Sequence, residues 1–131
     1  MSLEELKKSF IVDEESFEES KIEEFLSKIL KICQIDKQGH VRFIDEKLGD
    51  KEKVKYILVA RFLANKLDPS ISKEIENEEF EKILGKSKEQ VRARLSDVRN
   101  EKPSIMKDLN RNTHEIKPLF VQRILKEIKN D

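Results

Sequence analysis

Two short helical patterns separated by one glycine constrain this chain more than any other stretch. Phe80, Ile83 and Leu84 recur at spacings of three and four, which puts them on one face of a helix. Asn77 is the expected N-cap, with Glu78 and Glu79 in a first turn whose dipole favours acids. Gly85 follows the last apolar residue, where helices commonly exit through the left-handed region. Ser87 then opens a second helix over 87–99, and Gln90 completes a capping box with it. Val91, Leu95 and Val98 form the buried stripe of that helix. So short a connection favours a steep crossing, as in a helix-turn-helix.

A longer helix is expected upstream, over 50–67, capped by Asp50 and with Glu52 in its first turn. Val54, Ile57, Leu58, Phe62 and Leu63 form its main face, and Val59, Ala60, Ala64 and Leu67 widen it. A helix apolar over so much of its surface has to be covered on several sides. It therefore reads as the first helix of a three-helix core, with Arg61 and Lys66 left on a wet edge. Asp68, Pro69 and Ser70 stop it, and 71–76 reads as a connecting loop. The apolar stripes of all three helices are expected to share one core.

Before this unit, 13–34 reads as a helix with Phe25, Leu26, Ile29, Leu30 and Cys33 as its stripe and Ser20 with Glu23 as a capping box. That stripe must be covered, by the chain's own core or by a second copy, and the expectation leans to a dimer arm. In 1–12, Leu3, Leu6 and Phe10 have helical spacing without an obvious surface to pack on. Gly39 opens a short strand over 38–45, with Val41 and Phe43 on one side and Arg42 on the other.

The run Phe80, Ile83, Leu84, Gly85, Ser87, Val91, Leu95 and Val98 resembles the helix-turn-helix of winged-helix transcription regulators. The resemblance extends over 50–129. It implies a wing hairpin over 105–117, with Ile105 and Met106 on its first strand, a tip over 108–112 and a return strand over 113–117. His114, Glu115, Ile116, Lys117 and Pro118 resemble the exit from the wing into a last helix. It also implies that the 38–45 strand pairs with the wing. The family usually carries glycine just after its second helix, and Asn100, Glu101, Lys102 and Pro103 stand there instead. Pro118 suits position N1 of the last helix, whose stripe is Leu119, Phe120, Ile124 and Ile128, with Lys126 and Lys129 near its C-terminus. The expected fold is thus mainly α: a winged helix, with a tri-helical core and a small β-wing, over 37–131, preceded by an N-terminal helical extension over 1–36.

Charge bears on partners. Lysine and arginine balance aspartate and glutamate at 27 each, so net charge alone attracts no nucleic acid. The distribution is uneven: residues 1–24 hold nine acids and three bases, and 86–111 hold eight bases and four acids. The basic part is the helix-turn-helix and wing.

Enzymatic motifs are not apparent. Gly85, Lys86 and Ser87 hint at a phosphate loop, but Phe80 stands where that motif needs glycine, and a helix precedes it instead of a strand. Glutamate pairs such as Glu14 and Glu15 read as solvated surface. Cys33 is the only cysteine, and neither His40 nor His114 has a partner at metal-ligand or nucleophile spacing. The expectation is a protein without catalytic activity, cofactor or metal. With no leader-like or membrane-spanning apolar run, it is expected to be cytoplasmic and free of membrane.

On a helical wheel, Ala93 lies opposite the buried stripe, with Glu89 and Ser96 beside it and Arg92 and Asp97 flanking. Gln90 and Arg92 suit base edges, and Lys88, Arg94 and Arg99 suit phosphates. Lys107 and Arg111 would reach the backbone from the wing. With Ser87 at the helix start, these eight residues are the expected contacts to double-stranded DNA, read sequence-specifically by a transcriptional regulator, plausibly a homodimer. The alternative is a winged-helix adaptor that binds a protein partner and no DNA. A continuous basic stripe from Arg92 to Arg111 favours the first. A stripe broken by Glu89, Asp97 and Asp108 favours the second.

Overall fold

The computed structural model describes residues 1–128, which form six α-helices and two small antiparallel sheets. In chain order these are α1 (Leu3–Phe10), α2 (Ile22–Ile29), β1 (Cys33–Ile35), β2 (Val41–Phe43), α3 (Asp50–Leu67), β3 (Ile75–Glu76), α4 (Asn77–Leu84), α5 (Lys88–Arg99), β4 (Met106–Asn110), β5 (Thr113–Ile116) and α6 (Val121–Leu125). No helix among the described residues is long and apolar enough to cross a membrane. Lys129, expected near the end of the last helix, lies outside the described residues.

α3 is the centre, as its wide apolar surface requires. Everything from Val54 to Ala64 except Lys55 is buried, under cover from α2, α4, α5, α6 and the strands. α5 packs directly on it through Val91, Leu95 and Val98, all buried, and Phe80 of α4 joins the same core. Ile83 and Leu84 are only half-buried at its margin. Gly85 adopts φ +64°, the left-handed exit, and Ser87 and Gln90 form the capping box in full. The N-caps of α3 and α4 are Gly49 and Glu76, one residue earlier than Asp50 and Asn77.

Several expectations are corrected. The span 13–34 is not one helix. Residues 13–18 run without regular structure past the 3₁₀ turn Pro118–Phe120 that leads into α6, where the Leu119 N–H donates to the Glu14 carbonyl at 3.0 Å. A 3₁₀ turn over Glu19–Lys21 leads into α2, so Ser20 forms no capping box with Glu23. After Ile29 the chain turns, leaving Leu30 exposed and placing Cys33 on a strand. Phe25, Ile29 and Cys33 are covered by this chain itself, in the same core as α3, whereas Leu26 is half-buried and Leu30 exposed.

The strand Val41–Phe43 exists but pairs with Cys33–Ile35, not with the hairpin. The tight turn between them explains why. The Asp36 carboxylate accepts from the Gln38 and His40 amides, and Gly39 sits at φ +91°. The strand that does pair with the hairpin lies in the segment read as a loop: Ile75 faces His114 and Glu76 faces Thr113. The resulting sheet runs β3-β5-β4, with Met106 opposite Ile116 and a register shift between Asp108 and Asn110.

Arg61 is buried, not on the wet edge of α3. Its guanidinium donates to the carbonyls of Ser72 (2.7 Å), Glu74 (3.1 Å) and Gly39 (3.2 Å) and pairs with the Glu79 carboxylate. A buried charge persists only with such complete pairing. A side chain at position 39 would meet this guanidinium at 3.1 Å, a second reason for glycine there.

Candidate nucleic-acid interface

The hairpin β4–β5 and helix α5 enclose an open cleft of about 570 Å³. Its α5 wall carries Arg92, Leu95 and Arg99, and its hairpin wall carries Asp108, Asn110 and Arg111. Asn77, at the start of α4, and His114, on β5, form its floor. Lys88, Leu95 and Arg99 lie within a narrow arc of the α5 wheel, and Arg92 borders it on the same side. Lys88 lines an adjoining depression with Asn77 and Asn112. Three arginines from two elements therefore converge on one concavity, with a lysine along the same helix face.

The floor is rigid. His114 is fully buried, its Nδ1 lies 2.5 Å from Asp108 Oδ1, and its Nε2 lies 2.6 Å from Asn77 Oδ1. Asn77 Nδ2 faces the Arg111 carbonyl at 3.5 Å, which orients the amide with its oxygen toward the ring. Each ring nitrogen thus has one of these oxygens as its partner. Arg99 Nε donates to the second oxygen of Asp108 at 2.6 Å. Partial burial pushes the Asp108 carboxyl upward, but the hydrogen bonds from Arg99 and His114 outweigh it and hold the group below its ordinary range. The same carboxylate raises Arg99 further. α5, the hairpin and α4 are thus locked together by one polar chain.

The expected contact residues divide. Arg92 and Arg111 are exposed in the cleft, and Arg99 shares its wall while bound to Asp108. Ser87 and Gln90 are engaged in the capping box, the Gln90 side-chain oxygen accepting from the Ser87 amide at 3.0 Å. Arg94 does not line the cleft. Its Nε lies 3.1 Å from Asp97, an ion pair whose N–H is not aimed for a hydrogen bond. Lys107 points its ammonium to Glu15 at 3.5 Å and Glu115 at 3.9 Å. Asp108 stands in the same cleft and pairs with Arg99, so an acid interrupts the basic stripe between Arg92 and Arg111.

Asn77, Asp108 and His114 were not anticipated as site residues. One signal for His114 was available: strand alternation puts it on the same side as Ile116, which is buried. No protein-family model, curated protein or solved structure matches this chain.

Proposed function

We propose that this protein is a winged-helix module that binds double-stranded DNA sequence-specifically, with α5 in the major groove and the β4–β5 hairpin as its wing. The observation that carries the reading is the convergence of Arg92, Arg99 and Arg111 on the cleft between α5 and the hairpin. The element order α3, β3, α4, α5, β4, β5 and the sheet order β3-β5-β4 support the winged-helix assignment. Arginine from the helix suits guanine edges bidentately, and arginine from the hairpin suits phosphates. The Arg99–Asp108 pair is partly exposed, so a phosphate can compete for Arg99 at small cost.

A mobility-shift titration on duplex DNA at two salt concentrations tests this. Arg92→Ala should cost about 1–3 kcal/mol on a preferred site and relax preference at one position. Arg111→Ala should weaken binding to all duplexes and reduce the salt slope by about one. Arg94→Ala should do less than either, because Arg94 lies outside the cleft and is already paired with Asp97.

A second reading, an adaptor that binds protein and no DNA, is favoured by the pairing of Arg94, Arg99 and Lys107 with Asp97, Asp108 and Glu15. It predicts a flat titration at low salt from protein that circular dichroism shows to be folded. In that case Arg92→Ala would disturb a protein complex.

A further inference from the structure

Among the described residues that line the cleft, Asp108 is the one acid. Its carboxylate is tied on two sides. Oδ2 accepts from Arg99 Nε at 2.6 Å, and Oδ1 accepts from Arg99 Nη2 at 3.3 Å. Oδ1 also lies 2.5 Å from Nδ1 of the fully buried His114, whose Nε2 lies 2.6 Å from Asn77 Oδ1. Neighbouring pairs are looser: Arg94 meets Asp97 through one nitrogen, and Lys107 stands 3.5 Å from Glu15. Asp108 is thus a short side chain fixed from behind, and it grips the long side chain of Arg99 by a two-point fork. The fork takes up the Nε–Nη2 edge of the guanidinium. The Nη1–Nη2 edge is left for a second pair of acceptors. Arg99 lines the cleft with its side chain 42% exposed, so a ligand there can reach it.

Resting on the DNA-binding reading above, we propose that Asp108 is a positioning residue that makes Arg99 a reader of guanine instead of a phosphate contact. As a unit the Arg99–Asp108 pair is neutral, so it attracts a phosphate weakly. A phosphate that displaces Asp108 breaks a partly exposed ion pair at small cost, but it gains as little, because the freed carboxylate stays beside it, held at His114. A guanine edge offers two neutral acceptors, O6 and N7, and binds the open edge of the guanidinium without needing net charge. Arg99 is also held in place before any ligand arrives, so less side-chain ordering opposes binding. Arg111 differs. It is exposed on the same cleft and forms no ion pair among the described residues, which leaves its full charge for phosphates.

The full chain is used to select duplexes from a random-sequence library, and single-base variants of the selected duplex are then titrated by fluorescence anisotropy. Wild type should prefer guanine by about 5–150-fold at one position whose preference Arg99→Lys, which keeps the charge and loses the fork, abolishes. Asp108→Asn should lose the preference at that same position. Its affinity for random-sequence duplex should rise, and its salt slope should steepen by about one, because Arg99 now carries an uncompensated charge. A merely structural lock between α5 and the hairpin predicts the opposite sign: weaker binding to every duplex, with base preference kept. Circular dichroism checks that both variants are folded at the temperature used. The proposal is overturned if no position depends on Arg99, if Asp108→Asn keeps the guanine preference, or if it weakens binding to selected and random duplexes alike. Wild type that binds no duplex at low salt removes the DNA-binding reading and this inference together, so the two failures are told apart.

Discussion

His114 shows how much one buried polar residue holds together. It joins β5 to α4 through Asn77 and to β4 through Asp108, and Asp108 joins Arg99 of α5. Replacing it by alanine removes the ring partner of both Asn77 and Asp108 and empties a fully buried site, and should cost about 1–3 kcal/mol in urea denaturation. The pH dependence follows from the carboxylates. Asp108 and Glu101 are both pushed up by burial but pulled lower still, by Arg99 and His114 in one case and by Lys51 and Lys55 in the other. A carboxyl lowered on folding contributes stability above its unfolded value of about 4, and that contribution is lost as pH falls through the folded value. Thermal denaturation from neutral to acid pH should therefore show a falling limb. Asp108→Asn should be less stable than wild type at neutral pH and shallower on that limb. Cys33 lies at the other extreme: burial pushes its thiol up to about 12, so it should resist alkylation until the chain unfolds.

Among the elements, α5 depends on few residues. Leu95→Ala removes a buried contact with α3 and should cost about 2–5 kcal/mol by chemical denaturation. Ser87→Ala breaks the capping box and should cost about 1 kcal/mol. α3, α4 and α5 were legible in the sequence because each combines helical apolar spacing with a stop, at Asp68 and Pro69 or at Gly85, or with a cap at Ser87. The span 13–34 misled for a physical reason. Phe25, Ile29 and Cys33 keep helical spacing across a turn after Ile29, so periodicity alone cannot see the helix end. β3 escaped notice because its pairing is wholly non-local: two residues answer to a hairpin strand some 40 positions away. The cleft arginines were foreseen singly, but their convergence depends on that pairing and on the turn between β4 and β5.

For the molecule as a whole, one core joins α2 to the helices that follow it. Arg61 could not be recognised as interior from its charge, yet no gap in the apolar surface of α3 gave it a way out: Ala60, Phe62, Leu63 and Ala64 around it are all buried. Its ties to Gly39, Ser72 and Glu74 and its pair with Glu79 bind the β1–β2 turn, the segment before β3 and helix α4 to a single side chain. Opening any one of these segments strands a desolvated cation. Hydrogen–deuterium exchange should therefore find the segment around 71–76 slow and exchanging together with α3, although most of it is irregular. Arg61→Met keeps much of the side chain's bulk and removes the donors. In that variant the same amides should exchange early, ahead of global unfolding, and β3 should loosen from the hairpin before the helices separate.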